Sequence, residues 1–504
     1  MQAHDPDFIV IGSGTNGLVA ACTLARSGMQ VLVLERSPRR PGAELSSEQL
    51  TLPSFIHDLG PGFFPFARTS PALVELELER HGVTWLNADV ESCHLARDGS
   101  RACLYRNAAA RGRVLGGSRN QNAWRALGRR HARIEPELHE LLLRPAPTWA
   151  AAHRLGATNL LSTLWTFSAS AHRLAARLCG SEPAARIIPS LAALLGATPN
   201  QAGSGGYGYL LALAATTAGF AIPRGGAQSV ANTLVSILER HGGRLRLGVE
   251  AEQVVVSQGR AVAVRLLGGD EIRTRRGILA DTGPGTLRHL VRPSDRNAPT
   301  AGSRVGARSA TGTFKVDWAL TGPVPWQVDE ASQSLVVTTA DSVAALLRSH
   351  RRVQAGHLAD PPWVTFVQPT VADSSRAPRN QHTLSGIVRV PLWTRDRWRQ
   401  REQRFADDIE AHVEGLAPGF RRLILERHLA PPGGDISNGG LNGISPSLGV
   451  GLLRGVVRRW LSPGRPYRAG PIGLYLCSAA THPGPGWHGM SGHNAASIAL
   501  RDLG

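Results

Sequence analysis

Apolar residues fall in short unbroken runs near the two ends of the chain and at helical spacing between them. Asp7–Ile11 reads as a strand, Leu18–Ser27 has the spacing of a helix, and Val31–Leu34 is a second strand. Residues 108–220 are rich in Ala, Leu and Arg, with helical patches at Pro136–Leu143 and Leu160–Leu178. The next helix, Gln228–His241, puts Val230, Leu234, Ile237 and Leu238 on one face, and Gly242-Gly243 stops it. Leu245–Val249, Gln253–Ser257 and Ala261–Leu267 follow as strands joined by short turns. Ile278–Asp281 and Gly473–Cys477 read as buried strands, the second leading through a glycine-rich loop into a helix over Asn494–Asp502. Three separated pieces therefore predict one α/β domain, with the intervening stretches forming a second.

Between the first strand and helix stands Gly12-Ser13-Gly14-Thr15-Asn16-Gly17, and Glu35 ends the second strand. This is the unit that holds the ADP half of a dinucleotide. Gly12 allows the tight turn, Gly14 the approach of backbone to pyrophosphate, and Gly17 close packing of helix on strand. The helix N-terminus offers free N–H groups to the phosphates. A carboxylate at Glu35 accepts the ribose hydroxyls and repels a 2′-phosphate, which points to FAD or NAD rather than NADP.

The same glycine spacing occurs twice more. Gly203–Gly208 follows no strand and reads as a flexible turn before the apolar run Tyr209–Ile222. Gly484–Gly489 has a strand before it and a helix after it, but no second strand completes the unit.

Composition narrows the function classes. At 504 residues the chain has room for two or three domains, and no run of 18 uninterrupted apolar residues occurs. No basic-plus-apolar leader precedes the first strand, so a cytoplasmic protein is expected. Five cysteines without a CxxC pair suit buried thiols rather than a disulfide or zinc framework, and no metal site is expected.

The net charge of +18 comes almost wholly from arginine, Lys315 being the only lysine. Eight arginines and no acid lie between Arg106 and Arg133. Two readings of that cluster stay open: a solvated, poorly packed segment, or attraction to an acidic partner or to the inner face of an anionic membrane. Aromatics make up only 5% of the chain and do not interleave with the arginines, so nucleic acid is not an expected partner.

The order of these pieces resembles the phytoene desaturase-related flavoproteins, FAD-dependent oxidoreductases that include carotenoid desaturases and isomerases. Leu52–Gly60, Ile222–Gly226, Arg244–Asp281, Phe314–Asp317 and the stretch from Gly473 through Thr481–Gly484 to Gly492–Ala496 carry the resemblance. It implies an α/β fold with a discontinuous, glutathione-reductase-like Rossmann FAD-binding domain and an inserted α+β substrate domain. The FAD-binding domain would comprise 1–65, 222–300 and 466–504, and the substrate domain 66–221 and 301–465.

The implied FAD contacts are Gly12, Gly14, Thr15, Asn16, Gly17, Glu35, Arg36, Gly42, Ala43, Asp58, Gly60, Ala251, Asp281, Gly484, Gly486, Gly489, Met490, Gly492 and Asn494. One departure stands out: Arg39-Arg40-Pro41-Gly42 has proline where the family has the first of two glycines, removing an N–H donor.

The expected function is transfer of hydride from an apolar or amphipathic small molecule to flavin N5. The alternatives are a redox-neutral, flavin-dependent isomerase of a lipid-soluble substrate, and a lapsed flavoprotein acting as a membrane- or partner-binding module. Lys315, His482 and His488 are the candidate catalytic residues, Lys315 because a compact ammonium fits where a guanidinium does not. Lys315 and the Thr481–Gly492 loop are expected to face one flavin ring from two domains. Leu452–Leu461, with its alternating apolar and arginine positions, reads as a helix lying on a bilayer or packed on the substrate domain.

Overall fold

The computed structural model describes residues 5–60, 62–106, 118–145, 149–291, 311–432 and 467–502. The Leu452–Leu461 segment, and residues 107–117 of the arginine cluster, lie outside the described residues.

Five parallel strands form the first sheet, in the order Leu474–Leu476, Gly277–Ala280, Phe8–Ile11, Val31–Glu35, Arg244–Leu247. Its central strands are buried at every position because both faces are covered. On one face, Phe8, Val10 and Val33 pack against three helices, Thr15–Arg26, Gln228–Arg240 and Met490–Arg501, through Leu18, Leu234 and Ala495 among others. On the other, Ile9, Leu32 and Ile278 meet Val254 and Val264 of a three-stranded antiparallel sheet, Ala251–Ser257, Arg260–Leu266 and Glu271–Arg273.

Some local expectations shift. The strand expected at Leu245–Val249, the first of three joined by short turns, spans Arg244–Leu247 and joins the parallel sheet beside Val31–Glu35. The last helix begins at Met490, four residues before its expected start, and the Leu160–Leu178 pattern breaks at Ser170, whose hydroxyl accepts the Arg173 N–H. Pro136 lies inside a long helix, Ser118–Leu143, rather than opening a short one.

Gly203–Gly208 is not a flexible turn. Gly203, at φ +87°, opens the helix Ser204–Thr216. A Cβ on Gly206 would come within 2.3 Å of the Phe167 ring, and one on Gly208 within 2.1 Å of the Ile188 carbonyl, so these glycines permit close helix packing.

The second sheet has seven strands in the order Ile424–Ala430, Thr311–Leu320, His382–Pro391, Val364–Val367, Ser334–Thr339, Val90–Leu95, Arg101–Leu104. It is antiparallel except where Ser334–Thr339 runs parallel to Val90–Leu95. Alternation gives it two unlike faces. Phe314, Val316 and Trp318 enter an apolar core with Phe366, Trp398, Phe405 and Phe420. Lys315 and Asp317 lie on the opposite face, across the ladder from Ile387 and Ser385. Part of that face is covered by the helices Ile187–Leu194 and Ser204–Thr216, which share a core with Val336, Val367 and Ile387. Among the described residues no helix is long and apolar enough to cross a membrane.

Candidate functional site

The carboxyl end of the parallel sheet is a cradle made mainly of backbone. Gly12, at φ +97°, donates its N–H to the Leu34 carbonyl at 2.8 Å and turns the chain into the first helix. Glu35 is buried; one oxygen accepts from the Ser13 N–H and hydroxyl (2.9 and 2.7 Å), the other from the Ser37 N–H at 2.8 Å. Gly17 donates to Asp281 Oδ2 at 2.8 Å. Burial raises the Asp281 carboxyl to about 7 against that bond, with the Glu35 charge adding to the rise.

The N–H groups of Gly14, Thr15 and Asn16 meet no acceptor among the described residues, and a Cβ on Gly14 would lie 2.5 Å from Asp281 Oδ2. Free N–H groups at a helix start beside a bare glycine fit a diphosphate, and a buried carboxylate at the end of the second strand fits the ribose of FAD. Arg36 is exposed at the rim, and Ala251 is half-buried at the start of its antiparallel strand.

The substituted loop keeps its approach to this cradle. Gly42, at φ +113°, donates to the Ser13 carbonyl and hydroxyl (3.1 and 3.2 Å), and a Cβ there would press on Ala231 at 2.8 Å. Ala43 and Arg39 are exposed, while Arg40 pairs with Glu48 at 3.6 Å and donates to the Ser47 carbonyl. Asp58 is spent on protein contacts: Ser47 Oγ (2.6 Å), the Ala227 N–H (2.8 Å) and the fully buried Arg376 (3.0 Å). It clamps the start of the Gln228–Arg240 helix. A Cβ on Gly60 would lie 2.8 Å from Trp487, which puts this segment against the C-terminal loop.

In that loop Gly484, Gly486 and Gly489 have φ of +107°, +151° and +66°. A Cβ on Gly489 would strike Val19 at 2.7 Å and one on Gly492 the Asn16 carbonyl at 1.9 Å, so these two glycines seat the last helix on the first. Asn16 Oδ1 also accepts the Gly492 N–H at 3.4 Å, and Met490 is fully buried. His488 is buried, which lowers its pKa to about 4; its Nδ1 accepts the Met490 N–H at 3.0 Å and so caps the last helix. His482 donates to the Leu142 carbonyl at 2.6 Å, and Asn494 to the Leu143 carbonyl at 2.7 Å, both at the end of the long helix.

Lys315 is buried with a constellation that the sequence reading did not assemble. Its ammonium bonds both oxygens of Asp317, at 2.5 Å to Oδ2. Ser385 Oγ donates to Oδ1 at 2.5 Å, His57 Nδ1 lies 3.6 Å from Oδ1, and His428 Nδ1 lies 4.0 Å from Oδ2. Burial works against ionisation of Asp317, but Lys315, His57 and the Ser385 bond together hold it below the ordinary carboxylate range. Burial also lowers His57 to about 4, against the pull of Asp317, and its Nε2 lies 2.9 Å from Thr51 Oγ1.

Lys315 has no described contact with the Thr481–Gly492 loop. The link is indirect: His57 meets the Lys315 cluster, and Gly60, three residues on, meets Trp487. The signal for Asp317 and Lys315 was present as two-residue alternation between Phe314 and Trp318; His57, Ser385 and His428 come from distant strands and carried none.

Known proteins match this arrangement. The model of an NAD(P)-binding Rossmann-like domain family matches residues 10–76. The chain is 26% identical to pyridine nucleotide-disulfide oxidoreductase domain-containing protein 2 of Mus musculus, covering 99% of this chain and 94% of that one. It is 26% identical to phytoene dehydrogenase of Streptomyces griseus, over 84% and 82%. A double mutant of putrescine oxidase shares its fold at a TM-score of 0.61 and 14% identity, over 99% of both chains. Fold, cradle and relatives agree: the protein is an FAD-dependent oxidoreductase related to the phytoene desaturases.

Proposed function

We propose that the enzyme takes hydride from an apolar or amphipathic small molecule at a site between the nucleotide cradle and the Lys315 face of the seven-stranded sheet. The observation that carries this is the buried Lys315–Asp317 pair, joined through His57–Gly60 to the C-terminal loop. FAD, when bound, supplies the redox chemistry by accepting the hydride at N5.

In this reading residues 1–65, 222–300 and 466–504 hold FAD, and 66–221 with 301–465 hold the substrate. Glu35 takes the ribose hydroxyls and the N–H groups of Gly14, Thr15 and Asn16 take the pyrophosphate. Gly12, Gly17 and Gly42 let backbone approach, and Asp58, Gly60 and Asn494 keep the surrounding segments in place. Lys315 brings a positive charge whose cost of burial is offset by Asp317; it would suit the negative charge a flavin ring gains on accepting hydride, while the substrate's second hydrogen leaves as a proton. His482 and His488 fix the C-terminal loop.

The phytoene dehydrogenase relative is named for a hydrocarbon, which supports an apolar substrate. The helices over the Lys315 face pack apolar side chains against it, in one core with Val336, Val367 and Ile387.

Anaerobic mixing with candidate apolar substrates tests the reading through bleaching of the flavin bands. Lys315→Met should slow reduction and leave FAD binding nearly intact, and Lys315→Arg should not restore the rate. Reduction at the wild-type rate in Lys315→Met would overturn the role given to Lys315.

A further inference from the structure

A second charged site lies on the long helix Ser118–Leu143. Arg129, Arg130 and Arg133 line one cleft of about 240 Å³ with Ala126, Ile134 and Asn159. Arg129 and Arg133 are exposed and Arg130 is half-buried.

The carboxylates further along the helix are committed elsewhere. Glu135 faces His131 and His139 at 3.5 and 3.9 Å, and Glu137 and Glu140 pair with Arg154 at 3.7 and 2.5 Å. Among the described residues no carboxylate pairs with Arg129, Arg130 or Arg133. Three like charges around one hollow repel one another, and an anion placed among them relieves that repulsion.

We propose that this cleft binds a phosphate group. Each guanidinium presents a rigid fork of donors that matches two oxygens. A planar carboxylate saturates one such fork, whereas a tetrahedral phosphate has enough oxygens for several. Asn159 donates one amide hydrogen to the Leu155 carbonyl at 3.1 Å and keeps the other for a ligand. Ala126 and Ile134 add an apolar wall, so a phosphate ester with a hydrocarbon part fits as well as free phosphate. The group's source is either a soluble phosphate or a lipid headgroup.

The test uses the FAD-loaded protein, so that the cradle is filled. Calorimetric titration with inorganic phosphate at low ionic strength reads the soluble source. Flotation with phosphatidylcholine vesicles, with and without phosphatidic acid, reads the headgroup. The Arg129→Ala/Arg133→Ala variant should lose at least about tenfold in whichever arm is positive. A variant of equal charge change elsewhere, Arg348→Ala/Arg351→Ala, should keep its binding. Single Arg129→Gln and Arg133→Gln variants repeat the measurement with less disturbance of the helix. No binding in either arm overturns the proposal, as does an equal loss in the 129/133 and 348/351 variants, which would mean attraction to net charge alone.

Discussion

The cradle at the end of the five-stranded sheet and the Lys315 face of the seven-stranded sheet solve opposite problems. The first is built for an anionic ligand mainly from backbone: glycines and free N–H groups, with two carboxylates, Glu35 and Asp281, held by hydrogen bonds from the turn and helix start. The second concentrates Lys315, Asp317 and His57 out of water and balances them against one another. A backbone cradle is intolerant of added volume, whereas a buried ion pair is intolerant of losing one partner.

The largest effect expected from this contrast is at Asp317. Asp317→Leu strands the Lys315 charge and should cost about 3–5 kcal/mol in denaturant unfolding. Lys315→Met/Asp317→Leu removes the whole pair and should regain most of that stability without regaining flavin reduction. A single variant as stable as the double one would show that the pair is not balanced as described.

Next comes Glu35. Glu35→Ala should weaken FAD by about 1.5–3 kcal/mol, roughly tenfold to a hundredfold, read as flavin lost on dialysis. Retention at the wild-type level would take Glu35 out of the cradle.

A smaller difference should separate two cradle glycines in the apoprotein. A Cβ at Gly17 meets the Gly12 carbonyl at 2.3 Å, which is backbone, while one at Gly14 meets only the movable Asp281 carboxylate. Gly17→Ala should therefore cost about 1–3 kcal/mol and Gly14→Ala less, although both impair FAD binding. Equal melting temperatures for the two apoproteins would contradict the geometry.

The two regions should also move in opposite senses with pH. His57 falls from 6.5 to about 4 on folding, so its contribution is present above pH 6.5 and is lost as pH falls towards 4. Asp281 rises from 3.8 to about 7, so its contribution is present below pH 3.8 and is lost as pH rises towards 7. Relative to wild-type apoprotein, His57→Gln should gain stability on acidification from pH 6.5 to 4, and Asp281→Asn on alkalinisation from pH 4 to 7. Parallel trends would break the comparison.

The cradle was legible because its determinants are local: Phe8 to Glu35 is one continuous strand–turn–helix–strand stretch. The Lys315 cluster was legible only in part, since it gathers side chains from the strands at 57, 315, 385 and 428, and pairing across a sheet leaves no mark on any one segment. Glycine was the least readable signal. Gly206 and Gly208 sit inside a helix, and Gly489 and Gly492 answer to another helix rather than to a turn alone. Spacing cannot distinguish a glycine that admits a ligand from one that admits a neighbouring element.

The order of the five-stranded sheet also bears on how the protein is made. Phe8–Ile11 leaves the ribosome hundreds of residues before its neighbour Gly277–Ala280, and Leu474–Leu476 follows later still. The helix that packs on Thr15–Arg26 at Gly492 is translated after both. The first strand and helix must therefore wait, with apolar faces uncovered, until those later segments are translated. Such long waiting is where aggregation and chaperone capture occur, so yield in the cell should depend on translation and chaperone supply more than on the stability of the finished fold.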